Sequence, residues 1–471
     1  MTSEEILQFE KSLEKISAKA AAFGLDYFPM RFEICPADII YTFGAYGMPT
    51  RYSHWSFGKS FNRMKTQYDY NLSRIYELVI NSDPCYAFLL DGNSVIQNMM
   101  VAAHVFAHCD FFKNNQWFRH TSRSMVETMA RNGERIREYE FRYGRQKVEE
   151  ILDAALALQE HIEPRYGIGR VQQRKGGNCQ PSSSDARETD YDDLWDMDIK
   201  EADNNHAAKV KRFPEEPEKD VLGFIAANSK QMEEWERDVV FIVREEMLYF
   251  WPQIETKIMN EGWASLWHAR IMRELDLNED ETIEFAKMHA GVIQPSRTGI
   301  NPYLIGLKIW EDIEKRWDKP SEAEREKYGR PGGQGLEKIF EVRETENDIS
   351  FIRNYLTKEL VEKLDLYIFK KVYTKWQVIE TDWERVREGI ISMLTNGGNP
   401  HIVVEDGDCN KNGELYLKHY HEGRDMDLYY LEKTLPHVYR LWGKTVYLET
   451  VVEGKGVLFA FNGEKIQKKV L

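Results

Sequence analysis

Ala103-His104-Val105-Phe106-Ala107-His108-Cys109-Asp110-Phe111-Phe112 decides how this chain is read. Two histidines stand four apart in an apolar run of helical character. Four residues make about one turn, so both rings leave the same face of a helix. That is the geometry of a two-histidine metal clamp. Alone the pair says little, because two helical histidines are often only polar neighbours. A second stretch, Glu261-Gly262-Trp263-Ala264-Ser265-Leu266-Trp267-His268, changes the balance. Glu261 and His268 are seven apart and share a face if that stretch is helical. Catalytic zinc sites take two histidines and a glutamate and keep one position open. His104, His108 and Glu261 are therefore the expected zinc ligands. His268 is expected to be a further ligand or a hydrogen-bond donor to developing negative charge. A solvent-facing helix acid is the alternative reading of Glu261.

Outward from these stretches, the chain reads as helix for most of its first 370 residues. Residues 3–22 form an amphipathic pattern with Ile6, Leu7, Leu13, Ile16 and Ala20 near one face. Residues 41–55, rich in glycine and aromatics, read as an irregular loop of the kind that lines sites. Residues 57–80 read as one long helix, 86–90 as a short strand, and Asn93 or Ser94 as the cap of the His104 helix. Further helices are expected over 123–159, 233–250 (ended by Pro252), 254–272, 303–317 and 348–364, with an exposed connection over 319–335. Residues 172–220 are poor in periodic apolar residues and read as a flexible connector or a docking segment. From about 372 the order strand, helix, strand, strand, helix, strand, strand predicts a small α+β domain. The expected fold class is thus α+β. A helical domain spans 1–171, a connector 172–220, a helical region with the Glu261 helix 221–371, and an α+β domain 372–471.

Composition narrows the partners. The chain has 471 residues, 42% hydrophobic and 13% aromatic, with a net charge of -15. Such a charge argues against nucleic acid and anionic membranes as main partners, since phosphate binding needs basic surface. No apolar run of about 18 residues predicts membrane insertion, and the acidic N-terminus does not resemble a signal peptide. Five scattered cysteines without a Cys-x-x-Cys pair fit reduced thiols in a cytoplasmic protein. Protein partners remain unknown from sequence.

Other constellations are weaker. His54 and His289 are candidates to approach the site. His419 and His421 alternate on an expected strand. Asp408-Cys409-Asn410-Lys411-Asn412-Gly413 begins like a calcium loop, but His419 holds the position that needs a bidentate glutamate, so a hairpin turn is expected. No histidine has glutamate three residues before it, which disfavours a di-iron carboxylate site.

The stretches Arg51-Tyr52-Ser53-His54-Trp55, Ala103 to Phe112 and Asn260 to His268 resemble the stage V sporulation protein R (SpoVR) family, over nearly the whole chain. The resemblance implies a role in sporulation and spore cortex (peptidoglycan) formation, without supplying a biochemical activity. Glu261-Gly262-Trp263-Ala264 is also similar to a segment of some His-Glu-x-x-His zinc peptidases, in which that glutamate binds zinc. The similarity implies zincin-like helices. It breaks at Val105, which stands where the general-base glutamate would be. Two functions are expected: a zincin-like metal-dependent hydrolase, or a non-catalytic regulator or scaffold with a structural metal. If the chain is a hydrolase, its base comes from elsewhere. Glu245 and Glu246 are the candidates, since their helix directly precedes the Glu261 helix across Pro252.

Overall fold

The computed structural model describes residues 1–70, 75–165, 212–296, 299–372 and 375–471, and statements of absence below concern these residues. The fold is α+β, mainly helical, and divides into two compact units. One comprises residues 1–149 and 245–399, the other 150–244 and 400–471.

The first unit is built around the helix Val95–Asn114. Its residues from Ile96 to Phe112 are nearly all buried, including Val105, Phe106 and Phe111. A helix that is apolar all round has no solvent face and belongs at the centre of a core. Ser94 starts it: its side chain accepts from Gln97 N–H, and Gln97 reaches back to the cap's own N–H. This reciprocal capping satisfies amides that would otherwise be orphaned. Against it pack the helices Ser3–Ala22 and Lys257–Arg273. A second close crossing joins Lys257–Arg273 to Pro302–Asp318. There a Cβ on Gly262 would lie 2.3 Å from the Gly306 carbonyl carbon, so the two backbones touch where only glycine fits.

Three short strands flank this helix. β1 (Met30–Cys35) runs parallel to β3 (Cys85–Leu90), and β2 (Glu77–Ile80) pairs antiparallel with β3 on its other side. Sequence periodicity misreads two segments here. The helix expected over 57–80 is Trp55–Asp69, and Glu77–Ile80 is strand. The expected loop over 41–55 begins inside the helix Ala37–Tyr46, which Gly47 ends with φ 75°. Two further helix ends differ. Glu234–Glu255 carries Pro252 inside its last turn, and the exposed connection over 319–335 contains the helix Glu322–Tyr328. The hairpin of β4 (Ile368–Val372) and β5 (Lys375–Glu380) and the helix Trp383–Leu394 close this unit.

The second unit holds a five-stranded sheet. Its strands are β6 (Ile402–Cys409), β7 (Glu414–His419), β8 (Val446–Val452), β9 (Lys455–Phe461) and β10 (Ile466–Val470), in the order β10-β9-β8-β7-β6. Only β7 and β8 are parallel, and the helix Leu428–Trp442 makes the crossover between them. The β6–β7 hairpin turns through Asn410 and Lys411, both at φ 58°, so the calcium-like stretch is a hairpin turn. β10 has no counterpart in the sequence reading, because Ile466-Gln467-Lys468-Lys469-Val470 lacks a buried face. Charged residues of this kind suit an edge strand. The expected connector over 172–220 lies outside the described residues up to 211. Beyond that point Glu218 pairs with Val404 in a single bridge. No helix is long and apolar enough to cross a membrane, and the four described cysteines are free thiols.

Candidate metal centre

Helical spacing sends the His104 and His108 rings to one side of the Val95–Asn114 helix, with ring centroids 4.5 Å apart. The Lys257–Arg273 helix presents Glu261 to the same place. His104 Nε2 and His108 Nε2 each lie 3.5 Å from Glu261 Oε2. Three ligand atoms, one per residue, fall within 4.8 Å of one another. Asp348 fixes the start of the Glu261 helix, its carboxylate accepting from Ile258 N–H at 2.8 Å and Met259 N–H at 2.9 Å. Asp110 sets the spacing between the two helices. It is fully buried and accepts from Trp263 Nε1 at 2.9 Å, Arg343 Nη1 at 2.7 Å and Asp26 N–H at 2.8 Å. It thus ties the helix of the histidines to the helix of the glutamate.

The donor set fits a metal on two independent grounds. First, Glu261 Oε2 is buried and accepts no hydrogen bond. A 3.5 Å separation is too long for a good bond to either ring. It is close to the edge of a tetrahedron around zinc, about 3.4 Å for bonds of about 2.1 Å. Second, both rings are held from behind. His108 Nδ1–H donates to Asn260 Oδ1 at 2.8 Å, which leaves Nε2 with its lone pair toward Glu261. His104 Nδ1 is 2.9 Å from His268 Nδ1. Partners of this kind orient ligand histidines.

The electrostatics follow from burial and proximity. Burial and then the neighbouring His108 hold the His104 pKa below that of a free imidazole. Burial also pulls on His108, but the nearby Glu261 carboxylate outweighs it and its pKa rises. Glu261 is held far below the usual carboxylate range, the two histidines overcoming its burial.

A cavity of about 560 Å³ opens beside His104. Glu77, Tyr303, Met100, Val101 and Lys287 are among its lining residues. The Tyr303 ring stacks over His104 at 6.0 Å. Burial, and then the charge of Glu261, raise the Tyr303 pKa and keep its hydroxyl protonated. Burial pushes Glu77 up to about 7. His108 pulls the other way and Glu261 adds to the rise. Sequence reading missed both residues. Glu77 lies inside a stretch whose periodicity predicts helix, and Tyr303 carries only the signature of a helix start.

The structure brings together His104, His108, Glu261 and His268. His268 is fully buried and stands behind His104, with its Nε2 2.8 Å from His289 Nδ1. Glu246 belongs to a different cluster, where its carboxylate accepts from Arg51 Nε at 2.6 Å. His54 caps the helix Trp55–Asp69, accepting from Ser56 N–H. In the second unit His419 Nδ1 meets Thr450 Oγ1 at 2.8 Å.

A family profile described as SpoVR like protein matches residues 3–399, and one described as SpoVR-like C-terminal domain matches residues 400–453. An uncharacterized protein of Escherichia coli, YcgB, is 30% identical, the match covering 93% of this chain and 90% of that protein. No solved structure matches.

Proposed function

The chain belongs to the SpoVR-like family, and from that premise we propose that it is a sporulation-associated, metal-dependent hydrolase of zincin-like design. Its substrate would be an amide bond of the spore cortex peptidoglycan. The observation that carries this reading is a cluster of three side chains able to hold a metal, His104, His108 and Glu261, with a cavity beside His104. A structural zinc site is closed by four protein ligands, whereas a catalytic one keeps a position for substrate. Zinc bound by such a set activates water and polarises a carbonyl.

The chain's own residues supply the rest. Val105 is buried in the apolar core and has no proton to move. Glu77 lines the cavity with His104 and is the acid placed to act as base. It takes the proton of the attacking water on its carboxylate and returns it to the leaving amine. The Tyr303 hydroxyl donates a hydrogen bond to the oxygen on which negative charge develops. Met100 and Val101 give the cavity an apolar wall against bulk water.

The test is hydrolysis of peptidoglycan fragments and of a generic peptide by zinc-loaded protein. Glu77→Gln is expected to lower the rate by about 100-fold or more while leaving zinc affinity within about threefold. Equal activity in Glu77→Gln would remove Glu77 from the reaction. A second reading, a regulator or scaffold with a structural metal, is favoured by Val105 at the position of the zincin base. Zinc bound with all four positions filled by protein atoms would select it.

A further inference from the structure

Behind His104 the rings of His268 and His289 continue in line. His104 Nδ1 is 2.9 Å from His268 Nδ1, and His268 Nε2 is 2.8 Å from His289 Nδ1. His104 and His268 are buried, whereas His289 is half-buried on the helix Glu279–Val292. Both ring-to-ring contacts join two imidazole nitrogens, and the Ala264 backbone also lies within reach of the His104 and His268 rings. A neutral imidazole has one donor and one acceptor nitrogen, so each contact has two possible polarities. The arrangement differs from that of His108, whose partner Asn260 Oδ1 can only accept.

From this geometry we infer that His268 and His289 are positioning residues for the proposed metal centre, forming an imidazole chain whose direction is set by metal occupancy of His104. The inference rests on the metal reading above and extends it to two residues outside the ligand set. With its Nε2 lone pair given to a metal, His104 carries its proton on Nδ1 and donates to His268 Nδ1. His268 then carries its own proton on Nε2 and donates to His289 Nδ1. His289 is left with its proton on Nε2. Only this direction keeps both hydrogen bonds together with a metal bond at His104 Nε2. If His104 carries its proton on Nε2 instead, every proton in the chain must move to the other nitrogen, or a ring-to-ring hydrogen bond is lost. Occupancy at the centre is therefore read out at His289, about two rings away. Conversely, an acceptor at His268 Nδ1 favours the tautomer of His104 that can bind metal.

The experiment uses the full-length protein and zinc alone. Zinc affinity is measured by competition with a chromophoric chelator for wild type, His268→Leu, His268→Asn and His289→Ala. Circular dichroism establishes that each variant is folded. His268→Leu is expected to lose about 10- to 100-fold in affinity. His268→Asn places a carbonyl oxygen near the former Nδ1 and is expected to recover most of that loss. His289→Ala, nearer the surface, is expected to weaken binding less than His268→Leu and serves if the latter does not fold. Nitrogen-15 NMR of the imidazoles is expected to place the His289 proton on Nε2 in the zinc-loaded protein. Wild-type affinity in both His268→Leu and His289→Ala, equal losses in His268→Leu and His268→Asn, or a His289 proton on Nδ1 with zinc bound would overturn the chain while leaving the metal centre intact. A wild-type protein that takes up no zinc would overturn the metal reading itself, and the chain with it.

Discussion

Gly262→Ala is the smallest change that should disable the centre without touching a ligand. A Cβ at Gly262 would lie 2.3 Å from the Gly306 carbonyl carbon, 2.4 Å from its Cα and 2.7 Å from Leu307 N. All three are backbone atoms and cannot rotate away. Ordinary contact begins at 3.4 Å, so the helices Lys257–Arg273 and Pro302–Asp318 must part by about 1 Å. Glu261 is the residue immediately before. Metal–ligand distances tolerate only about 0.2 Å, so a shift of that size takes the carboxylate out of bonding range. Overpacking of this kind costs about 1–3 kcal/mol, and zinc affinity should fall by about 100-fold. Gly58 provides the control, since a Cβ there meets nothing within 4 Å. Gly58→Ala lies in the helix Trp55–Asp69 and should be neutral or stabilising by up to about 1 kcal/mol. The assays are urea unfolding and chelator competition for both variants. Wild-type zinc affinity in a folded Gly262→Ala protein would refute the claim that this crossing positions Glu261.

Two further outcomes follow from titratable groups held away from water. Arg343→Met leaves Asp110 buried without its ion partner, the two side chains being 5% and 0% exposed. The expected cost is about 3–5 kcal/mol in urea unfolding, and a loss below about 1 kcal/mol would show that the pair contributes little. In the second unit, burial and then the nearby His419 lower the His161 pKa to about 4. A histidine with a depressed folded pKa contributes stability that is fully present above about pH 6.5. That stability is lost as pH falls toward 4, a change of about 3 kcal/mol at most. His161→Gln should flatten the acid branch of the stability profile over this range, and an unchanged slope between pH 6.5 and 4 would contradict it.

The clustering of His104, His108 and Glu261 was legible because its signals are local. His104 and His108 are one turn apart, and Ser94 with Gln97 marks the start of their helix. Helical periodicity also marks residues 254–272, where the structure has the helix Lys257–Arg273, and so fixes the side of the helix that bears Glu261. The rest depended on contacts that cross the chain. The Gly262–Gly306 approach joins residues whose closeness leaves no mark in either helix. Asp110 reads as one more acid until Arg343, Trp263 and Asp26 surround it. Glu77 was hidden because apolar residues recur every three or four positions from Phe57 to Ile75, and a four-residue strand is too short to interrupt that pattern. Glu246 looked close to the centre because its helix precedes that of Glu261, whereas the fold gives it Arg51 as partner. Ser321 and Glu324 did carry a capping signature for the helix Glu322–Tyr328, which the surrounding glycines and prolines obscured.

In the proposed centre His104, His108 and Glu261 hold one metal ion and leave a position open toward the Glu77 cavity. Crystals grown with zinc and measured on both sides of the zinc absorption edge test it most directly. One anomalous peak is expected about 2.1 Å from His104 Nε2, His108 Nε2 and a Glu261 carboxylate oxygen, with no fourth protein ligand. A peak elsewhere, or none in zinc-saturated crystals, would contradict it.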